Sequence, residues 1–249
     1  MKKISSTAFA EMAEYIEKTP CSEVYPLSLT QGYQTGDIYC GNGSALFRHC
    51  SGFAYIYGRC GEDFLEDIRR MFLSADSTPE RRFILFTADK RVEEFFGKDN
   101  GLTFGRRINF AYQQDKYGIP DLPRDIQIKE FDRELLDSVS GRITPRFSWD
   151  DPCSFLEKGK GFCVMHEGAA ASWAFSAAVS DDEIDIGVET AAGHQHKGFG
   201  KIAAQAMIKY ALEHGRRPVW ACDTANTASQ RLAVSTGFAK VSEYTTIRR

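Results

Sequence analysis

The spacing of apolar residues changes period several times along the chain, and each change predicts an element. Phe9, Met12, Ala13 and Ile16 recur at helical spacing near the start. Residues 44–57 and 82–87 are rich in aromatic and aliphatic side chains and predict strands, while 62–73 carries Leu65, Ile68 and Phe72 as the apolar stripe of a helix. Residues 102–113 read as a further strand region. Then follow a short helix over 132–140 and two strands over 161–178 joined at the His166-Glu167-Gly168 turn. Between 183 and 190 the alternation puts Ile184, Ile186 and Val188 on one face and Glu183, Asp185 and Glu189 on the other, which predicts a strand with one buried and one polar side. A glycine loop, 193–200, leads into a helix marked by Ile202, Ala206 and Tyr210 and stopped by Gly215 and Pro218. A short strand over 218–222, a helix over 226–235 ended by Gly237, and a closing strand over 238–244 complete the pattern. No internal repeat is visible in the sequence.

Two prolines within 117–124 remove amide donors and hold the backbone extended, so a domain boundary is expected there. The organisation read from the chain is an N-terminal mixed α/β domain over 1–118, a linker over 119–124 and a second domain over 125–249. A length of 249 residues, 43% hydrophobic and 26% charged, is enough for two modest cores. The net charge of -3 supplies no basic field, so neither nucleic acid nor an anionic membrane surface is the expected partner. Lys2 and Lys3 are followed by Glu11, Glu14 and Glu17 before any apolar run, and no stretch approaches the ~18 residues of a membrane span. Seven cysteines without a CxxC pair argue for reduced thiols and against a metal, and the chain reads as cytoplasmic. Oligomeric state is left open.

The candidate chemistry lies in the loop Gly193-His-Gln-His-Lys-Gly-Phe-Gly200. A glycine-rich turn that opens a helix aims several unpaired amides, and the positive end of the helix dipole, at one point. An anion such as a phosphate fits that point, with Lys197 and Lys201 adding charge. A nucleotide P-loop would need Ser or Thr after Lys201, where Ile202 stands, and a dinucleotide fingerprint would need GxGxxG opening the first helix of a parallel βαβ unit. Neither pattern is met.

Gln195-His-Lys-Gly198-Phe-Gly200 does match, at every fixed position, the motif of the GCN5-related N-acetyltransferase (GNAT) superfamily, and the chain resembles that superfamily over roughly 125–245. Val188-Glu-Thr190 resembles the segment that pairs with pantetheine as an added strand, and Asn226 to Ser229 and Gly237-Phe238 resemble the helix and strand on the donor side. Phe155 to Gly161, Ser172-Trp173 and Trp220 to Cys222 are similar to a bacterial two-domain branch, with the N-terminal half as its companion domain. The fold this implies is α/β (α+β), a mixed, mostly antiparallel sheet flanked by helices. The activity implied is transfer of an acetyl group from acetyl-CoA, as co-substrate and without a metal, to a primary amine of a small molecule, by direct attack in a ternary complex.

The resemblance also implies the site residues. Val188, Thr190, Gln195, His196, Lys197, Gly198, Phe199, Gly200, Lys201, Asn226 and Ser229 are the expected donor contacts. Asp185 is the first choice of general base, with Glu183 on the same face, against the alternative that both are ordinary acids on a solvated strand face. Asn226 reads equally as a helix cap. Many relatives carry a tyrosine as general acid where this chain has Ala233, which keeps a catalytically inactive acyl-CoA-binding module open beside the enzyme, as is a peptide or protein N-terminus as acceptor. Trp149, Trp173 and Trp220 read as core before pocket, and His194 and His196 as loop side chains before metal ligands.

Overall fold

The computed structural model describes residues 1–74, 82–113 and 126–249. In chain order the strands and α-helices are β1 (Lys2–Lys3), α1 (Val24–Thr30), β2 (Gly36–Gly41), β3 (Ser44–His49), β4 (Phe53–Gly58), α2 (Glu62–Leu73), β5 (Ile84–Thr87), α3 (Lys90–Phe96) and β6 (Thr103–Tyr112). Then come β7 (Ile126–Glu130), α4 (Arg133–Ser138), α5 (Pro152–Lys158), β8 (Gly161–His166), β9 (Ala169–Val179), β10 (Glu183–Thr190), α6 (Phe199–Glu213), β11 (Arg217–Asp223), α7 (Thr227–Ser235) and β12 (Phe238–Arg248). They form two compact units, Met1–Asn109 with Ser242–Arg249, and Phe110–Val241. The linker expected at 119–124 lies outside the described residues, and the last residues of the chain cluster with the first unit.

In the first unit β1, β2, β3 and β4 pair antiparallel in sequence order, α2 crosses over, and β5 joins β4 in parallel. The end of β12 then pairs antiparallel with β5, from Thr245 opposite Thr87 to Arg248 opposite Ile84. The β2–β3 turn uses Asn42 and Gly43 with φ of 52° and 72°, the left-handed pair that a two-residue hairpin requires. Helix α2 buries Phe64, Leu65, Ile68 and Phe72 on one stripe against Leu46, Leu85, Val92, Phe96 and Ile247. Phe72 stacks on Phe83 with centroids 4.2 Å apart.

The second unit repeats this order without a visible repeat in sequence. β7, β8, β9 and β10 pair antiparallel, α6 crosses over, and β11 joins β10 in parallel. Helix α6 packs on β8, β9, β10 and β11, and its alanines at 203, 204, 206 and 211 bring the backbone close to the sheet. On the other face Asp151 caps α5 by accepting the N–H groups of Cys153 and Ser154, with Pro152 in the first turn. That helix and the turn before it cover Phe175, with Phe155 edge-on to it at 6.4 Å and Trp149 edge-on to Phe155 at 5.7 Å. Both sheet faces of this unit are therefore covered, which decides the environment of β10.

Candidate active site

Strand β10 is built as two halves. Its first residues pair on both sides, Glu183 to Asp185 with Arg217 to Val219 in parallel and with β9 in antiparallel register. A β-bulge follows, where Asp185 opposes Ala178 but Ile186 opposes Ser176. Beyond it β10 stays with β9 as far as Thr190, whereas β11 has left, so the two strands part in a fork. Ala191 N–H donates to Ala171 O, and the alternation of an antiparallel ladder turns the N–H and C=O of Val188 and Thr190 away from β9, into that fork.

The fork leads to the start of α6. Gly198 stands at its N-cap with φ 83° and no side-chain cap, so the first amides of the helix have no side-chain acceptor. A Cβ on Gly198 would meet nothing within 4 Å, so the glycine is there for its left-handed backbone and not to make room. At Gly200 the reason is space: a Cβ would stand 3.1 Å from Thr190 Oγ1 and 3.6 Å from Leu232 of α7. The end of β10, the start of α6 and the body of α7 thus converge. Ser172 on β9 joins them, donating to Glu189 O at 2.8 Å with its Oγ 2.8 Å from Thr190 Oγ1.

Around this centre the expected donor residues divide into groups. Gln195, His196, Lys197, Gly198 and Lys201 are exposed along the loop, and His196 has a left-handed φ of 63°. Phe199 is buried, tilted against His166 and His194 at centroid distances of 5.0 and 6.1 Å, so only its backbone is offered to a ligand. Asn226 caps α7, accepting from Ser229 N–H at 3.0 Å. Ser229 Oγ accepts the indole N–H of Trp220 at 3.0 Å, which leaves its own hydrogen for a further acceptor. Ala233 is completely buried.

The acids on β10 are not on a solvated face. Glu183 and Asp185 are both buried, at 8% and 4% exposure. Glu183 is held by Arg217, whose Nε lies 2.9 Å from Oε1. Glu189, further along the same face, accepts the backbone N–H groups of Arg142 and Ile143 and fastens that segment beside the fork. Trp173 Nε1 donates to Ile143 O at 2.8 Å and secures it from below. The three tryptophans are buried, as core packing predicts. Ser172 and Glu189 lie in stretches that the resemblance covers, but neither is among the expected site residues; the register that sets Ser172 opposite Thr190 brings the first to the site. Among the described residues no three His, Cys, Asp or Glu side chains gather into a metal set, and no helix is long and apolar enough to cross a membrane.

A mostly antiparallel sheet forked between two parallel strands, with a glycine turn and a bare helix N-terminus at the fork, defines an acyltransferase fold. The GNAT acetyltransferase profile matches residues 18–247, so the chain belongs to that family and is an N-acetyltransferase. The match includes the first unit, where the sequence suggested only a loosely related companion. The uncharacterized N-acetyltransferase YdfB of Bacillus subtilis (strain 168) is 26% identical over 201 residues, 78% of this chain and 77% of that protein. Among solved structures, the GCN5-related N-acetyltransferase-like protein of Streptococcus suis 89/1591 has a TM-score of 0.75 at 22% identity, covering 98% of this chain and 99% of that one. The GCN5-related N-acetyltransferase of Kribbella flavida has a TM-score of 0.65 at 15% identity, covering 90% and 95%.

Proposed function

We propose that the protein acetylates a primary amine of a small molecule, with the amine attacking acetyl-CoA directly in a ternary complex. The observation that carries this reading is the fork itself. An unpaired strand edge running into a ring of helix amides suits an amide-bearing arm that ends in a pyrophosphate, and Gly200 keeps that approach open against Thr190. Acetyl-CoA bound there supplies the thioester carbonyl.

The chain's residues then have the following parts. The backbone of Val188 and Thr190 holds the arm, and Val188 N–H donates to the carbonyl oxygen as charge develops on it. The amides from Gly198 onward, with Lys197 and Lys201, hold the pyrophosphate; Gln195 and His196 frame the loop, Phe199 anchors it in the core, and Asn226 fixes α7 beside it. Asp185 takes the proton of the amine. It stands three strand residues, roughly 10 Å, from Val188, a distance that a short chain of waters spans. Ser229, with a hydrogen to give, replaces the side-chain acid that Ala233 cannot provide.

The test is release of the CoA thiol from acetyl-CoA over a panel of small primary amines and of peptides with free N-termini. Turnover with a small amine is expected. Turnover with peptides alone would overturn the acceptor class, and tight acetyl-CoA binding without turnover would leave a binding module.

A further inference from the structure

We infer that the fork of the first unit is a second binding site, for a small uncharged ligand that presents a carbonyl or amide oxygen. Strands β4 and β5 pair in parallel only from Phe53–Ile84 to Tyr55–Phe86, after which β4 runs on to Gly58 paired with β3 but no longer with β5. A cavity of about 260 Å³ occupies the opening, walled by Tyr55, Tyr57, Cys60, Phe86, Thr87 and Val92 and bounded by the segment 17–21. In the repeated order of elements this is the place that the β10–β11 fork takes in the second unit.

The chemistry around it differs from that of the second unit. Helix α2 follows Gly61 with Glu62 and Asp63, two carboxylates in the turn where α6 has Gly198-Phe199-Gly200 and Lys201. Carboxylates there occupy the positive end of the helix and repel a pyrophosphate. The mouth has no net charge to offer an ion, since Glu17 and Lys18 are both exposed and Asp89 is paired with Arg91 at 2.6 Å. Both features weigh against a coenzyme A pyrophosphate or a small ion as the occupant.

What the wall does offer is neutral donors and aromatic faces. Tyr57 is 4% exposed, and its hydroxyl has no hydrogen-bond partner among the described residues. A buried donor without an acceptor is a standing cost to the fold unless something else supplies one. Burial pushes the thiols of Cys21 and Cys60 up to about 12 and about 11, so both keep their hydrogens at neutral pH. Tyr55, Phe86 and Val92 supply the apolar walls. At ~30 Å³ for each water-sized group, the cavity holds a ligand of roughly nine such groups. A flat apolar body with one oxygen acceptor meets all of these conditions.

Benzamide and acetanilide serve as probes on the whole chain, with benzoate and benzylamine as charged controls, followed by ligand-observed NMR with and without acetyl-CoA. Binding of at least one neutral probe, undisturbed by acetyl-CoA and absent for both charged controls, is expected. Tyr57→Phe removes the donor and should weaken the probe roughly five- to tenfold while leaving the melting temperature unchanged or higher, because it also removes an unsatisfied group. Ala88→Trp, an exposed position at the mouth, should block entry without touching the core. No binding of either neutral probe, binding that neither variant weakens, or displacement of the probe by acetyl-CoA would each overturn the assignment.

Discussion

Glu183 accepts two N–H groups of Arg217 across the first rung of the β10–β11 pair, before the strands part. The pair fastens the closed end of the fork. Arg217 is 61% exposed in its side chain, so solvent screening holds the link to about 1 kcal/mol at most. Glu183→Gln should lower the melting temperature by a few degrees and leave kcat within about twofold. Asp185→Asn, at the neighbouring position of the same face, should lower kcat by roughly 10²- to 10⁴-fold with acetyl-CoA binding intact. Steady-state kinetics beside thermal melts separates the two, and a larger kinetic loss for Glu183→Gln would reverse the roles.

The two loop glycines should fail differently. Gly198→Ala places a side chain on a left-handed residue in open space, costing about 1 kcal/mol of stability and little else. Gly200→Ala puts a methyl 3.1 Å from Thr190 Oγ1 and should raise the acetyl-CoA dissociation constant about tenfold, read by calorimetry. Equal effects on binding would show that the loop acts only through its backbone shape.

Glu189 is the fastening of the segment 141–143. Glu189→Gln keeps one acceptor oxygen and loses the charge, so the segment loosens beside the fork. The expected result is a KM for the amine raised several-fold with little change in the KM for acetyl-CoA. A change confined to acetyl-CoA would place the segment on the donor side.

His49 predicts an acid limb in stability. It is buried, with Nδ1 accepting Ser51 N–H at 3.1 Å, and burial lowers its pKa to about 3. Between about 3 and the ordinary value near 6.5 the unfolded chain takes up a proton that the folded chain refuses, so stability falls as the pH falls through this window, by up to ~1.4 kcal/mol per pH unit. Above pH 7 the group has no effect. Denaturant titrations of the protein and of His49→Gln from pH 7 to 4 should show a shallower slope for the variant.

Many elements of both units are legible in sequence because their signals are local. The stretch 183–190 is β10 to the residue, the helix expected over 226–235 is α7 with Asn226 as its cap, and 62–73 is α2 in full. Two helix and turn signals were there to be used, Asp151-Pro152 before α5 and Asn42-Gly43 between β2 and β3. The burial of Glu183 and Asp185 was not legible, since alternation reports which residues share a face and says nothing of what covers the polar one. Nor were the fork and the repeated order of elements, which depend on pairing between distant strands. The helical spacing of Phe9 to Ile16 yields only two short 3₁₀ turns, with Met12 alone buried.

The strand pairing of Thr245–Arg248 with β5, and the burial of Ile247 among Leu46, Phe64 and Leu85, give the first unit a timetable. Its core draws on residues made almost two hundred positions after β3, so during synthesis it waits, with β5 open along one edge, until residue 248 has left the ribosome. A fragment ending near residue 118 would lack that strand and keep an unpaired edge, which makes it a candidate for aggregation and not for independent folding.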